Sequence, residues 1–175
     1  FDWAGFSDGE VHPDNSTLSQ CAIRVADTWG EHQEHTYKTA TGAEHPRPGA
    51  FQLVFADLGT PKDDNDRTAY DRLKAEIVAR GVPADQVQFV HDHDKNDDDK
   101  ARFFDKCRDG RVSVAISSTS KMGVGTNIQD RMVALHHLDC PWRPSDIEQR
   151  EGRILRQGNQ NPEVDVYAYA TEKSF

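Results

Sequence analysis

Gln149, Arg153 and Arg156 recur at i, i+4 and i+7 in the stretch SDIEQREGRILRQGN, residues 145–159. On a helix that spacing makes one polar stripe where a small domain ordinarily turns apolar residues to its core. Two guanidinium groups one turn apart form planar forks suited to a polyphosphate. Gly152, within the same stretch, costs a helix about 1 kcal/mol relative to alanine, which close approach of a ligand or a second backbone would explain. A solvated face, with Glu148 and Glu151 balancing Arg150 and Arg153, accounts for the spacing equally well.

A second chemistry-bearing run is SSTSKMGVGTNIQD, residues 117–130. Small hydroxyl residues and the glycines Gly123 and Gly125 let backbone N–H groups come close to a phosphate or sugar. A plain structural turn fits the GxG as well. Ile128 stands where a dinucleotide fingerprint needs its third glycine, and no GK[ST] occurs, so the run is neither a Rossmann nor a Walker A loop. The acidic run HDHDKNDDD, residues 91–99, has no register with the glycine and glutamate of an EF-hand. It is expected to be a solvated loop, with Asp97 or Asp98 capping the next helix. His136 and His137 are adjacent in an apolar run, so on a strand they face opposite sides and form a packed or hydrogen-bonded pair, not a metal site.

These residues need elements to hold them. NSTLSQCAIRVADTWG (15–30) predicts a helix on the spacing of Leu18, Ala22, Val25 and Trp29, with Asn15 or Ser16 as cap and Gly30 as stop. HPRPGA (45–50) reads as a linker. From residue 51 the pattern alternates. The runs FQLVFADL, VQFVH, RVSVAIS, MVALHHLD and VDVYAYA read as strands; RTAYDRLKAEIVARG and DKARFFDKCRDG, ending at Gly81 and Gly110, read as helices. The Ser145 helix starts with a capping box, Ser145 and Glu148, behind Pro144, and stops at Gly158. Alternating strands and helices imply an α/β fold of three layers with a mostly parallel sheet. Ligands of such sheets gather at the carboxyl ends of the strands, here the loops after Ile116 and Asp139.

At 175 residues and 35% hydrophobic, the chain suits one domain with an extension. No apolar run approaches bilayer length. A net charge of −9 argues against a binder driven by bulk positive charge, although much of the excess lies in residues 91–100. Cys21, Cys107 and Cys140 form no CxxC pair and leave an odd one over, as expected of reduced thiols in a cytoplasmic protein. The opening FDWAGFSDGE, with no initiator Met, reads as the middle of a longer polypeptide.

STSKMGVGTNIQ (118–129) and PWRPSDIEQREGRILRQGN (141–159) together resemble motifs V and VI of superfamily-two helicases. The motif VI core Q-x-x-G-R-x-x-R-x-G is matched by Gln149, Gly152, Arg153, Arg156 and Gly158. The chain is most similar to the second RecA-like lobe of the Swi/Snf-type branch, with Met122 where that branch has the first of two adjacent glycines. From about Leu18 onward it resembles the C-terminal helicase domain of large bacterial and phage-type proteins in which helicase and DNA-methylase modules are fused.

The resemblance implies a three-layer RecA-like fold over residues 51–175, with residues 1–50 as a helical or irregular extension or inter-lobe connection. It implies that Arg153 and Arg156 are arginine fingers for ATP with Mg2+ held by a first lobe, with Gln149 beside them. Gly123, Gly125, Asn127 and Gly152 would lie near nucleotide and inter-lobe contacts, and Ser118, Thr119 and Lys121 on the nucleic-acid backbone. The implied partners are DNA, with RNA as the alternative, a first lobe in the same polypeptide, and a fused or associated methylase; no membrane is implied. The chain has no Walker A lysine and no Asp-Glu dipeptide, so the lone lobe is expected to be inactive. The competing reading is a catalytically silent RecA-like scaffold that binds protein or nucleic acid.

Overall fold

The computed structural model describes residues 17–56, 68–118, 128–138 and 158–169, and the structural statements below concern those residues. Their frame is a sheet of five strands: β1 (Phe51–Phe55), β2 (Val87–Phe89), β3 (Val114–Ser117), β4 (Met132–His137) and β5 (Asp165–Ala168). The strand order is β2-β3-β1-β4-β5, and every neighbouring pair is parallel. All five residues of β1, the middle strand, are buried. The continuous apolar run that predicted it is what a strand covered on both faces requires. Only β5, at one edge, is largely exposed.

Parallel neighbours need crossovers, and among the described residues helices supply those from β1 to β2 and from β2 to β3. One face carries α1 (Thr17–His32) and α2 (Thr68–Ala79). There Leu18, Ala22 and Val25 of α1 and Tyr70, Leu73 and Ile77 of α2 pack on Val54, Val114 and Ile116. Ser19 Oγ ties the two helices by donating to the Glu76 carboxylate at 2.9 Å. The opposite face carries α3 (Asp97–Arg108), whose Phe103, Phe104 and Cys107 pack on Phe51, Leu53, Phe55, Ala115 and Leu135. Alternate residues of β1 thus serve the two layers, as a period of two dictates. Burying each such large apolar side chain is worth about 1.5–3 kcal/mol.

Three local expectations are corrected. Gly30 does not stop α1: the helix continues to His32, whose Nδ1 lies 2.8 Å from the Thr28 carbonyl and caps it. A glycine inside a well-packed helix is a cost, not a stop, when Val25 and Thr28 are already buried. The cap of α3 is Asn96, not Asp97 or Asp98; its side-chain oxygen accepts from Asp99 N–H at 2.8 Å. Asp97, Asp98 and Asp99 then occupy the first turn, where carboxylates favour the positive end of the helix dipole. The acidic run, none of whose residues is buried, is also more regular than a plain loop. Residues Val90–His93 form a 3-10 turn in which His91 stacks on Phe89 and His93 on Phe103.

Before β1, residues 35–49 double back as a hairpin. Thr39 and His45 donate to the carbonyls of Ala43 and Tyr37 at 2.7 Å each, and Lys38 bridges Glu44. Tyr37 is buried against Ala50, Val133 and Ala134, so the hairpin belongs to the packed structure.

Candidate functional site

The parallel sheet sends the carboxyl ends of β1, β3 and β4 to one edge. Ala56, Ser118 and Leu138 are the last described residues there, and each is buried. Ala56 N–H donates to Ser117 O at 2.9 Å and Leu138 N–H to Phe55 O at 2.9 Å, so the three strand ends are stitched together. Ser118 lies in the first chemistry-bearing run, and Leu138 precedes the second in the chain. Ser118 is buried at this edge, its carbonyl accepting from Ser117 Oγ at 2.8 Å. Thr119, Lys121, Gly123, Gly125, Asn127, Gln149, Gly152, Arg153 and Arg156, and the helix expected over 145–159, lie outside the described residues.

The far ends of both runs are described, at the opposite edge. Ile128 joins the α3-side core, and Gln129–Arg131 form a 3-10 turn leading into Met132. Gly158, with φ of +108°, sits against Gln129, and the next residue, Asn159, donates from Nδ2 to Met132 O at 2.9 Å. The two segments therefore start together at the carboxyl ends of their strands and finish together at the amino end of β4. Spacing gave no signal of that second convergence.

Behind Met132 lies Arg131, 1% exposed. Its Nη1 donates to Gly49 O at 3.1 Å, and its guanidinium lies over the Tyr37 ring at 4.9 Å. Burial lowers its pKa, and its Nε has no hydrogen-bond partner. Gly110, with φ of +88°, roofs it: any Cβ there would collide with Arg131 Nη1. A cavity of about 500 Å³ opens nearby, lined by Arg47, Gln86, Gln88, His93, Lys106 and Arg111 among others. Two of its three cations, Arg47 and Arg111, are paired with Asp109. It is therefore not a strongly positive site, and it lies by the amino ends of β2 and β3, away from the runs' origin.

The histidine pair divides between the faces, as alternation requires. His137 stacks on Phe55, with ring centroids 6.0 Å apart. His136, on the other face, lies 2.8 Å from Gln52 Oε1 through Nε2 and 2.8 Å from the Tyr169 hydroxyl through Nδ1. Gln52 Nε2 donates to the Val25 carbonyl at 2.9 Å, which leaves Oε1 as acceptor. His136 Nε2 therefore carries the proton, and Tyr169 donates to Nδ1. Burial, then the charges of Arg24 and His137, push the His136 pKa down to about 3. Neutral and fully partnered, it is a structural group. Cys21 and Cys107 are buried and their thiol pKa values are raised by desolvation, which removes them as nucleophiles. Among the described residues no three metal-ligating side chains converge, and no helix is long and apolar enough to cross a membrane.

Comparison with known proteins agrees with this architecture. Residues 69–158 match the family described as the helicase conserved C-terminal domain. Over 68 residues the chain is 37% identical to the "Defense against restriction protein B" of Escherichia phage P1, a match covering 39% of this chain and 3% of that protein. The chain thus spans a small part of the curated relative that it matches. Among solved structures it is similar to the C-terminal part of the Fun30 ATPase domain, with a TM-score of 0.54 at 18% identity, covering 71% of this chain and 36% of that one. The shared fold is the RecA-like α/β lobe.

Proposed function

The chain belongs to the helicase conserved C-terminal domain family, and from that premise we propose that it is the second motor lobe of an ATP-driven DNA helicase or translocase. In this reading ATP with Mg2+ is held mainly by a first lobe, and Arg153 and Arg156 reach across the cleft to the triphosphate. Phosphoryl transfer depends on positioned positive charge at the developing transition state, and an arginine finger contributes roughly 10³–10⁵ in rate. Gln149 lies beside the fingers; Gly123, Gly125, Asn127 and Gly152 serve nucleotide and inter-lobe contacts. Ser118, Thr119 and Lys121 follow the nucleic-acid backbone, DNA first and RNA as the alternative. Closure of the two lobes on ATP and reopening after hydrolysis would move the protein along its track. A methylase module on the same or an associated polypeptide, and a bacterial or phage-type cytoplasmic setting, belong to the same reading.

The observation that carries it is the family match over residues 69–158, which takes in both runs in order. The sheet supports it with an argument from handedness. The step from β2 to β3 moves along the sheet in the same direction as the steps from β3 to β4 and from β4 to β5. Right-handed crossovers that move in one direction share one face. The first of these carries α3, and Ile128 at the end of the second packs into the α3-side core. The described end of the second crossover thus lies on the same face as the first, as right-handed connections of one lobe require.

The test uses the longer polypeptide that carries this chain with a first lobe. Arg153→Ala or Arg156→Ala is expected to abolish DNA-stimulated ATP turnover with the thermal melt unchanged. The isolated chain is expected to turn over no measurable ATP. Wild-type turnover in both variants would overturn the finger assignment and favour the silent-scaffold reading.

A further inference from the structure

The three residues after Gly158 use their side-chain amides to grip two distant parts of the chain. Asn159 Nδ2 and Asn161 Nδ2 both donate to Met132 O at 2.9 Å, and Asn159 Oδ1 accepts from Asn161 N–H at 2.8 Å. Asn161 Oδ1 accepts from the Tyr37 hydroxyl at 3.0 Å. Gln160 N–H donates to Asp130 O at 2.9 Å. The Gln160 side chain accepts from Lys38 N–H at 2.7 Å and donates to Lys38 O at 2.9 Å. Its Nε2 also lies 3.0 and 3.1 Å from the Asp130 carboxylate oxygens. One short segment thus joins the exit of the arginine-bearing run, the exit of the glycine-bearing run and the hairpin of residues 35–49.

We propose that Gln160 and Asn161 are positioning residues for Arg153 and Arg156, clamping the end of the arginine run to Asp130, Met132 and the hairpin. The proposal rests on the arginine reading above. Arg156 precedes Gln160 by four residues, so its Cα is within about 14 Å of the clamp. A shift of the clamp moves the guanidinium with it, and a misplacement of about 1 Å costs on the order of 10²-fold in rate. The bonds of Gln160 to Lys38 and Asp130 are exposed, and such bonds add little to stability because water replaces them readily. Several geometrically specific bonds at one exposed glutamine therefore suit a role in placement more than in holding the fold. The amides also suit the task chemically: each donates and accepts at once, and none changes charge with pH. The clamp links both runs to the hairpin that precedes β1, so the chain on the amino-terminal side is mechanically joined to them.

The experiment measures DNA-stimulated turnover in the two-lobe polypeptide, together with affinity for ADP and for ADP with aluminium fluoride. The variants are Gln160→Ala, Asn161→Ala, Tyr37→Phe, Arg156→Ala and the double variant Gln160→Ala/Arg156→Ala. Loss of positioning is expected to lower kcat by about tenfold or more in Gln160→Ala and Asn161→Ala with KM for ATP within about twofold. Binding of the fluoride complex is expected to weaken while ADP binding holds, and to be no weaker in the double variant than in Arg156→Ala alone. Tyr37→Phe keeps the ring under Arg131 and is expected to give a smaller loss of kcat. Wild-type kcat in Gln160→Ala beside an inactive Arg156→Ala would overturn the proposal and leave the arginine reading standing. So would a further loss in the double variant, or equal weakening of both nucleotide complexes. Wild-type turnover in Arg156→Ala would instead overturn the arginine reading itself. Should Asn161→Ala fail to fold, Gln160→Ala and Tyr37→Phe carry the same test.

Discussion

His136 and Gln52, on neighbouring parallel strands, share a hydrogen bond of 2.8 Å whose direction is set from outside the pair. The Val25 carbonyl holds the donor end of Gln52, so His136 presents its Nε2 proton and accepts from Tyr169 at Nδ1. Three elements, α1, β1 and β4, and the residue just after β5 are thereby tied through one neutral imidazole.

The first prediction follows from that neutrality. The unfolded chain protonates this imidazole near its ordinary value of 6.5, whereas the folded chain refuses the proton until about pH 3. Stability from His136 is therefore full above pH 6.5 and falls as pH drops through that window. The slope is at most about 1.4 kcal/mol per pH unit. The check has two parts: urea midpoints at pH 7, 6 and 5, where His136→Phe is expected to be less stable but less pH-dependent, and an imidazole NMR signal that does not titrate down to about pH 4.

Gly110 and Gly42 make a matched pair for backbone strain. Both have positive φ, +88° and +87°, but a Cβ meets Arg131 and Arg47 only at Gly110. Gly110→Ala is expected to destabilise by roughly 2–4 kcal/mol, the left-handed penalty plus overpacking, and Gly42→Ala by about 1 kcal/mol. Chemical denaturation of the two variants reads the difference, and equal losses would refute the roofing of Arg131.

Cys21 and Cys107 are expected to resist alkylation in the folded chain and to react at once in urea. Both are buried with raised thiol pKa values, and the thiolate is the reactive form. Peptide mapping after a short iodoacetamide pulse assigns the label; prompt native labelling of Cys107 would contradict the packing of α3.

Asn96→Ala is expected to cost about 1 kcal/mol by removing the α3 cap, whereas Asp97→Ala is expected to cost only a few tenths. Thermal melts of the two variants decide which residue caps the helix.

How far the structure can be read in advance depends on the range of the information. Strands β1, β3 and β4 are legible because each is a short apolar run, and burial on both faces is written into composition at that position. The divergence of His136 and His137 is legible because it needs only the period of a strand. The cap of α3 is not, since Asn96, Asp97 and Asp98 are all good caps one residue apart and only backbone geometry chooses. Nor is the stacking of His91 and His93, which depends on where Phe89 and Phe103 come to lie. The clamp is the clearest case: Tyr37 and Asn161 are 124 positions apart, and no local pattern announces their meeting. Of the candidate site residues, Ser118 alone is among the described residues, buried at the carboxyl edge of the sheet.

The order β2-β3-β1-β4-β5 puts the earliest strand in the middle, flanked by β3 and β4. During synthesis Phe51–Phe55 emerges with both lateral partners still untranslated, the nearer of them beginning at Val114. Until then this apolar ribbon has nothing to hydrogen-bond along either side, and pairing of such distant segments is slow because loop entropy precedes any reward. Ribosome-bound nascent chains halted before β3 should accordingly recruit chaperones, and those long enough to expose β4 outside the exit tunnel should shed them.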